Sequence, residues 1–231
     1  MIPSNSNFLK ALRSPFDHLF QRYVDVRRGN WQIEKRCYKT SDTILLTFDD
    51  YASAEQADHL LKTLQEYDVR AMFFFQGDWA TEHPDLLKRF ADAGHIIGNH
   101  TLTHPNLRTL SDAEIERQIG GEPHAQPWFR PPYGSYGKRV RRIARSLGYV
   151  VCYWTVDSHD WNGRATPESI LQRVLPRLHK GATILLHAHI EATIEVLPEL
   201  IEEIQKRGYR LDSFSDPLWS PEASTDQPAR R

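Results

Sequence analysis

Two adjacent carboxylates, Asp49 and Asp50, follow directly on the apolar run Ile44-Leu45-Leu46-Thr47-Phe48. Such a run reads as a buried strand, so both acids emerge at its C-terminal end, where parallel α/β enzymes gather their chemistry. His100 and His104 come four residues apart in His100-Thr101-Leu102-Thr103-His104, directly after another run that ends at Asn99. One helical turn or a tight loop would aim both imidazoles at one point. Two imidazoles and one carboxylate form a facial triad that can hold a divalent metal and leave positions open for water and substrate. Alone, a His-x-x-x-His spacing is more often an ordinary helix surface, and adjacent acids are weak evidence. Three further strand ends shift that balance: Phe129-Arg130-Pro131-Pro132-Tyr133-Gly134, Val156-Asp157-Ser158-His159-Asp160-Trp161 and Leu185-Leu186-His187-Ala188-His189. Unrelated polar residues would scatter over both ends of the strands, whereas these converge on one rim.

The elements that must position them alternate. Short β-branched or aromatic runs at 43–48, 70–75, 95–99, 128–130, 149–156, 182–186 and 209–212 predict seven strands. Between them, Ala54, Ala57, Leu60, Leu61, Leu64 and Tyr67 recur at helical spacing, as do Val140, Ile143, Ala144 and Leu147, and Ile194, Leu197, Leu200, Ile201 and Ile204. Ser53, Ser111 and Thr166 stand where N-caps belong, Pro167 suits a first helical turn, and Gly94, Gly148 and Gly208 stand where helices should end. Repeated βα units imply a parallel sheet. The expected class is α/β, a distorted (β/α) barrel of about seven parallel strands, with an open doubly wound sheet as the alternative.

The 231 residues carry 29 basic and 30 acidic side chains with no strongly basic stretch, which excludes the electrostatic footprint of a nucleic-acid binder. No window of about 18 uncharged apolar residues exists, and the N-terminus lacks the apolar run of a secretory signal, so the expected location is cytoplasmic, at most at the membrane face. Cys37 and Cys152 make neither a disulfide framework nor a zinc ribbon and read as reduced thiols. Residues 1–40 form an extension in which Phe8, Leu9, Leu12, Phe16, Leu19, Phe20 and Tyr23 trace a helical stripe flanked by basic residues. Such a stripe packs on the barrel or a second copy, or rests on an anionic membrane. The catalytic domain is expected over 41–214, followed by a disordered tail at 215–231.

With these residues in view, the chain resembles the polysaccharide deacetylases of carbohydrate esterase family 4, the NodB homology domain. The motifs occur in order: Thr47-Phe48-Asp49-Asp50, His100-Thr101-Leu102-Thr103-His104, Arg130-Pro131-Pro132-Tyr133-Gly134, Asp157-Ser158-His159-Asp160-Trp161 and Leu185-Leu186-His187. The resemblance implies a NodB-like barrel and one divalent metal, zinc in most of the family, with cobalt, nickel or iron as alternatives. Asp50, His100 and His104 match the metal ligands and Asp49 the general base. His187 matches the acid that protonates the departing amine, Arg130 the residue that orients the base, and Asp160 the one that tunes His187. Tyr133 matches the backbone N–H donor to the oxyanion, while Trp161 and Leu185 match the walls of the acyl pocket. Arg130 could also pair with Asp157 or Asp160, and Trp161 and Leu185 could simply be core. His159 and His189 match no ligand and read as solvated or hydrogen-bonded histidines.

The implied activity is hydrolysis of an N-acyl group, most often acetyl, from an amino sugar in a polysaccharide, oligosaccharide or precursor. An O-acetyl esterase, a non-sugar amidase and a silent carbohydrate-binding domain are the alternatives. The partner expected is therefore an N-acylated sugar. Tyr51 and Ala52 stand where the family has glycine and proline. A tyrosine there narrows the cleft or offers a stacking face to a sugar ring, which favours a smaller substrate. The connection from Ile119 to Trp128 is shorter than the family's habit, leaving that edge open or completed by another subunit.

Overall fold

The computed structural model describes residues 43–121 and 128–212. The expectations for 1–40 and 215–231, and most of the short connection before Trp128, lie outside those residues. Eight strands are present among them: β1 (Thr43–Asp50), β2 (Met72–Phe75), β3 (Ile96–Asn99), β4 (Trp128–Phe129), β5 (Val150–Val151), β6 (Val156–Asp157), β7 (Thr183–His187) and β8 (Arg210–Leu211). All pairings are parallel. The order is β5-β4-β3-β2-β1-β7-β6, with β8 beside the start of β1. The helices are α1 (Ala54–Glu66), α2 (Gly77–Glu82), α3 (Pro84–Asp92), α4 (Asp112–Gly120), α5 (Lys138–Ser146), α6 (Pro167–Val174) and α7 (Glu191–Lys206). None of these helices is long and apolar enough to cross a membrane.

The distorted barrel is the fold expected, with one correction. The single strand predicted over 149–156 is divided, because its first half pairs with β4 and its second with β7. Between β5 and β6 the chain crosses from one edge of the curled sheet to the other. The Cys152 N–H donates to the Phe129 carbonyl at 2.8 Å on one side, and the Thr155 N–H to the Thr183 carbonyl at 2.9 Å on the other. Tyr153 and Trp154 fill the crossing with rings stacked 4.1 Å apart. Cys152 is disulfide-bonded, not the reduced thiol expected, to a partner outside the described residues.

Strand periodicity of two sorts the side chains into layers. On β1, Ile44, Leu46 and Phe48 face the helices and join one buried cluster with Phe73, Phe75, Ile184, Leu186, Leu60, Leu64, Leu197 and Ile201. The alternate residues Thr47 and Asp49 face the barrel interior, where both meet Arg130. A smaller apolar cluster, including Ile115, Ile119, Phe129, Val140 and Ile143, packs α4 and α5 over β4 and β5.

The helix punctuation read in the sequence is present. Ser53 caps α1 in a reciprocal capping box with Gln56, Thr166 does the same for α6 with Ser169, and Ser111 accepts from the Glu114 N–H at the start of α4. These caps fix where each helix leaves the rim, and so the course of the loops that carry the site.

Candidate metal and hydrolytic site

The site grows from β1. Its inward residue Asp49 lies in register with His187 on β7, so parallel pairing alone sets these two side by side. Arg130, fully buried after β4, donates to Asp49 Oδ1 at 2.7 Å and to the Thr47 hydroxyl at 2.8 Å. That hydroxyl in turn donates to the Ile184 carbonyl at 2.6 Å. The guanidinium lies 4.2 Å over the Phe74 ring. Gly98 is required here: a Cβ would come 2.4 Å from that ring. Burial lowers the Arg130 pKa, and the charge and bond of Asp49 oppose that shift. Arg130 thus pairs with Asp49 and not with Asp157 or Asp160.

Asp50 turns out of the strand with φ 79°, a left-handed backbone uncommon for a side-chain-bearing residue. Thr101, His104 and Tyr133 share that conformation, so strained backbone is concentrated on the loops that meet at this rim. The His100–His104 segment is a tight loop, not a helical turn. The Thr101 N–H donates to Asn99 Oδ1 at 2.7 Å and the His104 N–H to the Thr101 hydroxyl at 3.0 Å, which close it locally. Gln118 on α4 clamps Thr103 through its N–H at 3.0 Å and its hydroxyl at 2.8 Å.

The loop brings His100 Nε2 to 3.6 Å and His104 Nε2 to 3.3 Å from Asp50 Oδ1. One ligand atom from each of these three residues falls within 4.8 Å of the others, the spacing a single ion needs. His100 Nδ1 lies 2.8 Å from the Arg130 carbonyl, which makes Nδ1 the protonated nitrogen and leaves the Nε2 lone pair toward Asp50. Burial and the neighbouring His100 lower the His104 pKa against Asp50 and Asp49, which also favours a neutral ligand. Burial would raise Asp50, but His100, His187 and His104, with the Gln76 amide at 3.1 Å, outweigh it and keep the carboxylate ionised. The donor set fits a divalent cation of intermediate softness.

His187 faces the other oxygen of Asp50, with Nε2 4.0 Å from Oδ2. Its Nδ1 bonds Asp160 Oδ1 at 2.8 Å, and its backbone N–H donates to Asp160 Oδ2 at 2.7 Å. Thr193, in the first turn of α7, donates to the same Oδ2 at 2.6 Å. Burial would lower the His187 pKa, but the bond and charge of Asp160, then Asp49 and Asp50, raise it to about 9. Tyr133 is 68 % exposed, and its ring meets His104 edge-on at 4.6 Å. Leu185 is buried two residues before His187 on the same inward face. Trp161 is half exposed at the rim, its indole N–H 3.3 Å from Asp157 Oδ1. Tyr51 is exposed at the mouth, beside the triad's carboxylate.

The sequence reading passed over three side chains that hold these groups. Gln76 and Thr47 are polar residues in or after apolar strands, a signal that was present, whereas Thr193 sits in an ordinary helical stripe and gave none. His189, set aside as solvated or bonded, lies with Nδ1 buried, without a hydrogen-bond partner, and 3.8 Å from Asp50 Oδ2.

Comparison with known proteins points to one family. Residues 38–152 match the family model described as polysaccharide deacetylase. A peptidoglycan-N-acetylglucosamine deacetylase of Bacillus cereus is 31% identical over 223 residues, covering 85% of this chain and 80% of that protein. A family 4 carbohydrate esterase from Streptomyces lividans, solved in complex with acetate, superposes with a TM-score of 0.68 at 31% identity over 75% of this chain and 93% of that one. A family 4 pseudoenzyme from Bacillus anthracis superposes with a TM-score of 0.70 at 33% identity, covering 78% of this chain and 66% of its own. On this likeness in sequence and fold together, the chain belongs to the polysaccharide deacetylase family, the family 4 carbohydrate esterases.

Proposed function

We propose that this protein is a metal-dependent hydrolase that removes an N-acyl group, most simply acetyl, from an amino sugar in a glycan or glycan precursor. The observation that carries the reading is that two differently tuned acid–base pairs, Asp49–Arg130 and His187–Asp160, flank one triad of ion-binding side chains. Asp50, His100 and His104 would hold the ion, zinc by preference, which when bound polarises the acyl carbonyl and makes hydroxide available near neutral pH.

The chain's own residues supply the rest. Arg130 occupies Asp49 Oδ1, which directs Oδ2 toward the His100 side of the site, 3.7 Å from its Nε2. Asp49 takes the proton of the attacking water as the new carbon–oxygen bond forms. His187, with Nδ1 held by Asp160, presents Nε2–H to the nitrogen that departs, and the carbon–nitrogen bond breaks as that proton moves. Asp160 holds His187 in its charged, proton-carrying form. An amine leaves poorly without a proton and an alkoxide more readily, so a positioned proton donor at His187 favours an amide over an ester substrate. The complete set of base, acid and ligands supports an active enzyme over a silent binding domain. The disulfide at Cys152 supports an oxidising compartment over the cytosol, which suits a cell-wall glycan.

The test is acetate release from N-acetylglucosamine oligosaccharides by protein stripped of metal and reloaded with zinc, cobalt, nickel or iron. Activity restored by a divalent ion in wild type, and neither metal nor activity in a His100→Ala/His104→Ala variant, is the expected result. Near-stoichiometric metal in the folded double variant would overturn the assignment.

A further inference from the structure

Tyr51 and His189 come from different loops, after β1 and after β7, yet their rings stack with centroids 4.4 Å apart and planes 18° apart. The two loops are tied together. Gln56, part of the capping box of α1, donates from its side-chain amide to the His189 carbonyl at 2.9 Å and to Glu191 Oε1 at 2.9 Å. One ring face of Tyr51 is therefore committed to His189, while 43% of the residue stays open to solvent. His189 keeps Nδ1 buried without a hydrogen bond, 3.8 Å from Asp50 Oδ2, while its side chain is about a quarter exposed. With that nitrogen free of hydrogen bonds, the His189 ring has capacity for a further polar partner.

Resting on the N-acyl sugar reading, we propose that Tyr51 and His189 form a preassembled wall that recognises a pyranose ring at the metal triad. The outer face of Tyr51 stacks on the apolar face of the sugar. The His189 imidazole hydrogen-bonds a sugar hydroxyl, and the Gln56 bond to the His189 carbonyl together with the ring stack holds the pair in place before substrate arrives, so little ordering is left to the binding step. Neither residue handles the reacting proton. The pair sets which sugar residue is held at the triad, a specificity role that joins His189 to the stacking face expected of Tyr51.

Tyr51→Gly, Tyr51→Phe and His189→Ala test this, with the N-acetylglucosamine trimer and the sugar-free ester 4-nitrophenyl acetate as substrates. Loss of the Tyr51 ring should raise KM for the trimer roughly tenfold and change kcat by less than about threefold. Tyr51→Phe, which keeps the ring, should restore KM to within about twofold. His189→Ala should raise KM about fivefold, the worth of one hydrogen bond. The loss on the trimer should exceed the loss on the ester in both ring-deleting variants. An unchanged KM in Tyr51→Gly, equal losses on both substrates, or a Phe variant as impaired as the Gly variant would overturn the wall. If wild type cleaves the ester and leaves the trimer intact, the N-acyl sugar reading fails by itself. Calorimetric binding of the trimer then decides the wall: tenfold weaker binding to Tyr51→Gly upholds it, and no binding to wild type overturns it.

Discussion

The two ends of the barrel bury charge in opposite styles. At the start of the strands, Arg70 and Asp212 form an ion pair at 3.1 Å with both side chains about nine-tenths buried, and the Arg70 N–H donates to the Asp212 carbonyl. Nearby His95 is 4% exposed and packs against Phe73 and Phe90. The Ala71 N–H donates to its Nδ1, burial disfavours its charged form and Arg70 adds to the effect, so its pKa falls to about 4. At the rim, the comparably buried His187 has Asp160, Asp49 and Asp50 around it and rises to about 9. Burial is similar, so the carboxylates set the sign. His95 at the start of the strands is thereby held neutral, and His187 at the rim is held charged beside Asp160, Asp49 and Asp50.

The contrast can be broken most forcefully at Asp49. Asp49→Asn should keep metal and fold while losing turnover by about 100 to 10,000-fold, the usual worth of positioned proton transfer. Metal analysis beside acetate release reads both, and near-normal turnover would place the base elsewhere. At the other end, Asp212→Ala should do the reverse. It leaves the Arg70 guanidinium buried, costing about 3 kcal/mol of stability by denaturant titration, with turnover per folded molecule preserved.

Smaller effects sharpen the comparison through pH. With no ion bound, the His187 pKa lies above the unfolded 6.5, so its stabilisation is complete below pH 6.5 and is lost as pH rises through about 9, a span worth about 3 kcal/mol. Asp160→Asn should return the NMR-monitored His187 titration toward 6.5 and flatten that alkaline loss. His95 has the opposite sign. Its folded pKa of about 4 lies below 6.5, so the unfolded chain binds the extra proton and stability falls as pH drops from 6.5 to 4, by about 3 kcal/mol at most. His95→Gln should remove that acid slope. Identical slopes in the variant would mean that the acid loss comes from other groups.

What the sequence disclosed follows the same division. Period-two runs, helical stripes and caps are local signals, so Ser53, Ser111 and Thr166 were legible, as was the convergence of Asp49, Asp50, His100, His104 and His187 on one rim. The partition of 149–156 into β5 and β6 was not, because an apolar run looks the same whether one neighbour or two accept its hydrogen bonds. Thr193, Gln118 and the Tyr51–His189 stack escaped for a related reason: each acts on a group brought near only when the sheet curls.

That curl closes in an unusual way. Between β5 and β6 the sheet has a seam with no shared ladder, and the neighbouring pairings are two residues long. Beside that seam, Arg130 at the end of β4 reaches the Cys152 carbonyl and sulfur at 3.4 Å, just past β5, while it holds Asp49 on β1. The guanidinium is thus a clasp as well as an aligner. A molecule whose β5 end has not docked lacks part of the set of bonds that holds the guanidinium, and with it part of what aligns the carboxylate.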